Sequence, residues 1–300
     1  MGHIIDDLKE TFRRGNIFIQ LIFINVAIFI IGTLISVFLQ LFNLSAAGIF
    51  DQFALPASFT RFIFQPWSLF TYMFMHAGFL HILFNMLWLY WFGSLFLYFF
   101  SAKHLRGLYI LGGICGGLLY MTAYNIFPYF SQAVPYSTLV GASASVLAIV
   151  AATAYREPNF QVQLFLFGAV RLKYLALIVI GTDLLFITSG NAGGHIAHLG
   201  GALAGLWFAA CLSKGKDITR WINWLLDGFI SLFKKKTWKR KPRMKVHYGG
   251  QTSRDKDYDY NARKKAQSEE VDRILEKLKK SGYESLTTEE KKSLFDASKR

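Results

Sequence analysis

The sequence predicts an all-α polytopic membrane protein: a bundle of six transmembrane helices with a small helical C-terminal extension. Composition is the first reason. Of 300 residues, 53% are hydrophobic and 29 are phenylalanine, and the mean hydropathy is positive, which is too apolar for a soluble domain. The second is recurrence, because runs nearly free of charge and long enough to cross a bilayer return along most of the chain. Charge segregation is the third. Few ionisable residues lie between Lys103 and Lys214, whereas residues 234–245 hold eight Lys and Arg and no acid. The net charge of +14 therefore reads as membrane-surface chemistry, with no nucleic-acid partner expected.

Residues 1–16 form a cytoplasmic N-terminus. Asp6, Asp7 and Glu10 precede an apolar run too long for a signal-peptide core, so the first span is read as retained. Apolar runs at 17–41, 80–100, 108–127, 136–155, 174–189 and 195–212 make the six spans of a core covering residues 17–213. Residues 43–79, rich in aromatics and containing Pro56, Pro66 and Trp67, read as an outer-face structure partly embedded at the interface. Lys9, Arg13 and Arg14 precede the first span, Lys103 and Arg106 follow the second, and Arg156, Arg171 and Lys173 follow the fourth. Residues 128–135 and 190–194, loops of the other parity, carry no charge, so the positive-inside rule places both termini in the cytoplasm of a multi-pass cell-membrane protein. Residues 214–248 combine an interfacial amphipathic helix with the basic stretch, and 249–300 are a cytoplasmic polar linker, to about Asn261, and a helical hairpin. Ser281-Gly282 marks the hairpin turn, and Thr287 with Glu290 fits a capping box. Cys115 and Cys211 both lie within spans and imply no disulfide framework.

Polar residues inside hydrocarbon are costly, which draws attention to Val140-Gly141-Ala142-Ser143-Ala144 and Ile196-Ala197-His198-Leu199-Gly200-Gly201. At about 1.5 Å per residue, Ser143 and His198 each sit roughly 10 Å below the outer ends of their spans. Small residues around Ser143, together with Gly201-x-x-x-Gly205, let the two helices approach closely. A serine hydroxyl needs a base to take its proton, and a neutral imidazole serves at physiological pH. His81 and Asn85, four residues apart, share one face near the outer end of the second span, where they can donate to an oxyanion.

In their order and spacing, His76-x-x-x-x-His81-x-x-x-Asn85, Gly141-x-Ser143 and Ala197-His198-x-x-Gly201 resemble the motifs of rhomboid intramembrane serine proteases. The resemblance covers about residues 10–213. It implies Ser143 as nucleophile and His198 as general base of a catalytic dyad. The oxyanion hole would be His81, Asn85 and the Ser143 backbone N–H, with His76, Gly141 and Gly201 in support. Ser143, not Ser145, satisfies the Gly-x-Ser spacing, and His198, not His195, fits the Ala-His-x-x-Gly pattern; His195 is expected at the membrane surface. Asp183 invites a triad, but the family works with a dyad, so a helix-capping or interhelical hydrogen bond is the expected role. Three positions depart from the family pattern. Ala144 replaces the glycine after the serine and is expected to place a methyl beside the oxyanion site, Leu147 replaces a tyrosine that packs on the histidine, and Ser68 follows Trp67 in place of arginine.

The implied function is hydrolysis of peptide bonds within or beside the transmembrane segments of single-span membrane proteins, from a site open to the outer face. A preference for small, helix-destabilising residues at the cut follows from the family. No metal or organic cofactor is expected. The alternatives are a rhomboid-like binder of transmembrane clients with weak or no activity, and a metal site built from His76, His81, His195 and His198. The lipid bilayer is the expected environment, and no partner is assigned to the C-terminal hairpin.

Overall fold

The computed structural model of the chain describes residues 12, 15–164, 168–233 and 251–298. Asp6, Asp7, Lys9, Glu10, Arg13, Arg14 and the basic stretch 234–245 lie outside the described residues. The chain divides into two compact units, Met1–Lys235 and Lys236–Arg300.

The first unit is a helical bundle. Its long helices are α1 (Ile17–Leu41), and, after a segment holding the short helices α2 (Ala47–Asp51), α3 (Phe59–Phe64) and α4 (Ser68–Thr71), α5 (Phe79–Phe99) and α6 (Ala102–Ile126). They are followed by α7 (Ser143–Arg156), α8 (Leu172–Leu185), α9 (Ala192–Ser213) and α10 (Arg220–Phe233). Among the described residues α1, α5, α6 and α9 are long and apolar enough to cross a membrane. At 14 residues each, α7 and α8 do not reach that length.

Close packing concentrates where glycines remove the Cβ. A Cβ at Gly201 would fall onto the Ala144 carbonyl oxygen, and one at Gly205 onto that of Ala148, so α9 meets the backbone of α7. The second wall is α6, where a Cβ at Gly112 would collide with the Ala148 Cβ and one at Gly116 would lie 2.7 Å from the Ala197 carbonyl oxygen. Small residues at such crossings suit a bilayer, where close contact and interhelical bonds replace the hydrophobic drive. In consequence every residue of α7 from Ala144 to Ala154 is buried. By contrast α1 buries only Phe18, Leu21 and Asn25. The Asn25 amide donates to its own helix at the Leu21 carbonyl (2.8 Å) and to the Tyr109 hydroxyl (3.2 Å).

The segment between α1 and α5 is locked by its own polar groups. The Trp67 indole N–H donates to the Gln52 carbonyl (2.8 Å), the Thr71 hydroxyl to that of Phe53 (2.8 Å), and the Gln65 amide to that of Ala54 (3.3 Å). Strand β1 (Leu55–Pro56) pairs antiparallel with β2 (Thr138–Leu139), in the register Leu55↔Leu139 and Pro56↔Thr138. This pairing changes the fourth predicted span. A helix was expected from residue 136, whereas α7 starts at Ser143, because residues 138–139 are extended in the ladder and Gly141 has φ +130°. A second ladder joins β3 (Gln161–Leu164) to β4 (Gly168–Arg171) between α7 and α8.

At the far end of the bundle α10 is clasped to the start of α6. The Arg106 guanidinium donates to Asp227 (2.8 Å) and to the Asn223 side-chain oxygen (3.0 Å), and the Asn223 amide donates to the Lys103 carbonyl (3.0 Å). Trp221, Trp224, Phe229 and Leu232 of this amphipathic helix are exposed. The same end gathers His104, Arg156 and Ser213 around a cavity of about 440 Å³.

In the second unit α11 (Gln251–Ser281) turns through Gly282 (φ +75°) into a short 3₁₀ turn and α12 (Thr288–Ser298). Helix replaces the linker expected up to residue 261; no Gly or Pro interrupts residues 251–281. The capping box closes, with Glu290 accepting from the Thr287 N–H (2.8 Å) and the Thr287 hydroxyl oxygen accepting from the Glu290 N–H (3.3 Å). Lys277 ties the two helices by donating to Glu290 (2.9 Å).

Two predictions follow from the packing and the hairpin. Gly205→Ala is expected to destabilise the bundle by about 1–3 kcal/mol through overpacking, measured as a lower thermal midpoint in detergent. Gly181→Ala, where a Cβ meets nothing within 4 Å, is expected to leave the midpoint unchanged or slightly raised. The hydrogen bond from Lys277, then the Thr287 N–H, holds the Glu290 carboxyl below the usual range. Its contribution is complete above the unfolded value of about 4.3 and is lost as pH falls through the lower folded value. Amides at the start of α12 are therefore expected to lose hydrogen-exchange protection as pH falls below about 4, and Glu290→Gln is expected to remove that pH step.

Candidate active site

Ser143 is the first residue of α7, and the φ of +130° at Gly141 turns the extended chain into the helix just before it. The half-buried Ser143 lines a cavity of about 190 Å³ with Asn85, Phe84 and Trp88 of α5, Leu147 of α7, Val179 of α8 and His198 of α9. Three separate helices thus bring Ser143, Asn85 and His198 to one space. Ser145 points elsewhere: it is fully buried with its hydroxyl unpartnered, and its Cα would lie 3.3 Å from a Cβ at Gly112 of α6.

His81 approaches from the first turn of α5. A Cβ at Gly141 would lie 2.8 Å from His81 Nε2 and 3.6 Å from Ser143 Oγ, so only a glycine admits the ring beside the serine. The Ala77 N–H donates to His81 Nδ1 (3.4 Å). A ring nitrogen that accepts in neutral imidazole leaves the proton on the other, so Nε2 is the donor next to Gly141. The Asn85 Nδ2 donates one hydrogen to the His81 carbonyl (2.8 Å), and an amide has a second to give. His76 lies edge-on to His81 with ring centroids 5.1 Å apart, and both its ring nitrogens are buried without a hydrogen-bond partner.

On α9, His198 sits in the second helical turn, and its Nδ1 is 2.8 Å from Asp183 Oδ1 of α8. His195 Nδ1 is also 2.8 Å from that oxygen. The half-buried His195 is therefore engaged with α8, and Asp183 makes an interhelical bond, not a helix cap. That this carboxylate reaches His198 itself was not readable from spacing alone, since it depends on how α8 packs on α9.

Another expectation is corrected at Ala144. Its methyl faces α6, because a Cβ at Gly116 would lie 2.7 Å from the Ala144 Cβ. The space for the extra methyl comes from Gly116, and the Gly-Gly-x-x-Gly-Gly run at 112–117 was the sequence signal for it. Leu147 lines the cavity alongside His198. Gly201 lies where Ala144 leaves no room for a side chain, so it sets the distance between the serine and histidine helices.

Residues 64–215 match the Rhomboid domain family, and residues 254–300 match a family of unknown function, DUF6576. The match spans the helices that carry the site, and the chain belongs to the rhomboid family. It is also similar to the RHOMBOID-like protein 12, mitochondrial, of Arabidopsis thaliana, 30% identical over 158 residues. That alignment takes in 50% of this chain and 47% of the relative, so the chain spans about half the length of the curated relative it matches.

Gly141→Ala is expected to push the His81 ring from the serine and to strain a left-handed backbone. Losing one oxyanion donor costs roughly 10²–10³-fold in hydrolases. Fluorophosphonate labelling of Ser143 is the measurement, with circular dichroism to check that helicity is kept.

Proposed function

We propose that the chain is an intramembrane serine endopeptidase acting through Ser143 and His198. The observation that carries this reading is that Ser143, Asn85 and His198, from three helices, open on one cavity beside the His81 ring. With His198 Nδ1 facing a carboxylate, Nε2 is left to take the Ser143 proton as Oγ attacks a peptide carbonyl. His81 Nε2–H, the free Asn85 amide hydrogen and the Ser143 backbone N–H receive the developing oxyanion. His198 then protonates the leaving amine, and water clears the acyl-enzyme by the same route reversed.

Six spans remain our reading of the topology. Helix α7, about 21 Å long by helix rise, is too short alone for a core of about 30 Å. Its extended lead-in supplies the difference, since non-helical backbone is tolerated at membrane depth where protein satisfies it. Here β1 pairs with β2, and the Gly141 N–H donates to the Tyr72 carbonyl (2.9 Å). Helix α8 is continued to Ser189 by hydrogen-bonded turns (Ser189 N–H to the Phe186 carbonyl, 2.9 Å). The cationic residues Lys103, Arg106 and Arg156 lie at the helix ends opposite the serine, so the positive-inside rule supports cytoplasmic termini and a site open to the outer side of a cell membrane. Phe84, Trp88 and Val179 line the cavity between α5 and α8, an apolar approach suited to the transmembrane segment of a single-span protein. The apolar face of α10 and the basic stretch beyond it suit the inner headgroup layer.

Wild type, Ser143→Ala and Ser145→Ala, reconstituted in liposomes with a fluorophosphonate probe and a single-span substrate, test the reading. Wild type is expected to label and cleave, Ser145→Ala to do both, and Ser143→Ala to do neither. Cleavage that survives Ser143→Ala would remove the nucleophile assignment. Silence from a folded wild type would make the chain a binder of transmembrane clients.

A further inference from the structure

Resting on that reading, we infer that Asp183 is a positioning residue that turns the serine–histidine pair into a three-membered relay. Asp183 is 4% exposed, and one of its oxygens, Oδ1, sits 2.8 Å from Nδ1 of both His195 and His198. The two histidines are three residues apart on α9, so their rings share the face turned to α8. An ionised carboxylate only accepts, and each Nδ1 at that distance therefore carries a proton. The tautomer of His198 follows: its lone pair lies on Nε2, the nitrogen that serves Ser143. A dyad without such an acceptor has to select that tautomer from two.

The second effect appears only as the reaction proceeds. When His198 Nε2 takes the serine proton, the ring becomes an imidazolium whose Nδ1–H already points at the carboxylate. Asp183 Oδ2 is buried with no partner among the described residues, so this carboxylate is under-satisfied in the resting site and gains most when its neighbour becomes cationic. Stabilisation that grows towards the transition state raises kcat more than it changes KM. His195 shares the same oxygen from the preceding turn of α9; its ring lies edge-on to that of His198, and it is not among the residues that line the cavity.

Asp183→Asn keeps the shape but offers an N–H₂ to the ring, favouring the wrong tautomer. In liposomes with a single-span substrate, its kcat is expected to fall about 100-fold or more, in the range of positioned acid–base groups, with KM within threefold and the thermal midpoint kept. His195→Ala is expected to stay within about fivefold of wild type. In ¹⁵N-histidine NMR of Ser143→Ala, which keeps the ring but cannot turn over, His198 is expected to show a protonated Nδ1, and adding Asp183→Asn to move the proton to Nε2. An active wild type with Asp183→Asn equally active overturns the inference and leaves the serine protease reading standing; an inactive wild type overturns that reading first. Equal losses from His195→Ala and Asp183→Asn, with KM rising in both, would reduce Asp183 to a tie between α8 and α9. Asp183, His195 and His198 also present ligand atoms within 4.8 Å of one another. Stoichiometric zinc in purified active protein, with activity lost on chelation, would replace the protons by a metal and overturn the relay.

Discussion

Everything in this bundle depends on how closely α9 lies against α7. Between helices in hydrocarbon there is no water to expel, so association comes from dispersion and polar contacts at short range. Gly201 and Gly205 remove the side chains that would otherwise stand against the carbonyls of Ala144 and Ala148. Those contacts fall just after Ser143 on one helix and just after His198 on the other. A methyl inserted there would widen the spacing on which the proton transfer proposed above depends, since hydrogen-bond reach is about 3 Å. The same glycines that hold the helices together therefore set the spacing between the helices of Ser143 and His198.

A second constraint places the serine along its helix. In mid-helix, Ser143 would have its backbone N–H consumed by the helical ladder. At the first position that N–H is one of the helix's orphan donors, free to meet an oxyanion and backed by the positive end of the helix dipole. Reaching this arrangement inside a packed bundle requires an extended segment with satisfied backbone. The β1–β2 pairing and the bond from the Gly141 N–H to the Tyr72 carbonyl provide it. Tyr72 is anchored in turn, its hydroxyl donating to the Gly113 carbonyl of α6 (2.6 Å). The aromatic segment before α5 is thus part of the support of the serine.

Much of this was legible in the chain. Apolar run length marked the long helices, with α1 starting and ending where the pattern did. Ser143, His81, Asn85 and His198 were picked out by their positions on apolar runs and by the resemblance to rhomboid motifs, which also supplied Gly141, and the structure brings Ser143, Asn85 and His198 to one cavity. What was not legible depended on pairing between distant segments. Nothing near residue 138 announces a strand, because its partner is residue 56. The direction of the Ala144 methyl required knowing that Gly116 lies opposite. The bond from Asp183 to His198 required the packing of α8, whose apolar sequence reads alike on all sides. In the C-terminal unit the polar composition of 251–261 suggested a linker, whereas the absence of Gly and Pro was the better guide.

The buried polar atoms without partners carry a last step. Each such group costs about 1–3 kcal/mol, and a bundle kept only for its architecture would do better with apolar residues. They are Asn85 Oδ1 in the cavity wall, Asp183 Oδ2 beside His198 and both ring nitrogens of His76 beside His81, with Ser145 Oγ, Asn25 Oδ1, Ser68 Oγ and His104 Nδ1 elsewhere among the described residues. One of them, Asn85 Oδ1, belongs to the wall of the cavity, which is otherwise lined by Phe84, Trp88, Val146, Leu147 and Val179 beside Ser143 and His198. Apolar walls lower the local dielectric and strengthen every interaction with a charge that appears there. In the mechanism proposed above, Asp183 is the one of these groups that gains a cationic neighbour, when His198 becomes an imidazolium. For Asp183 the cost falls on the resting protein and, in the proposed mechanism, the benefit falls on the transition state.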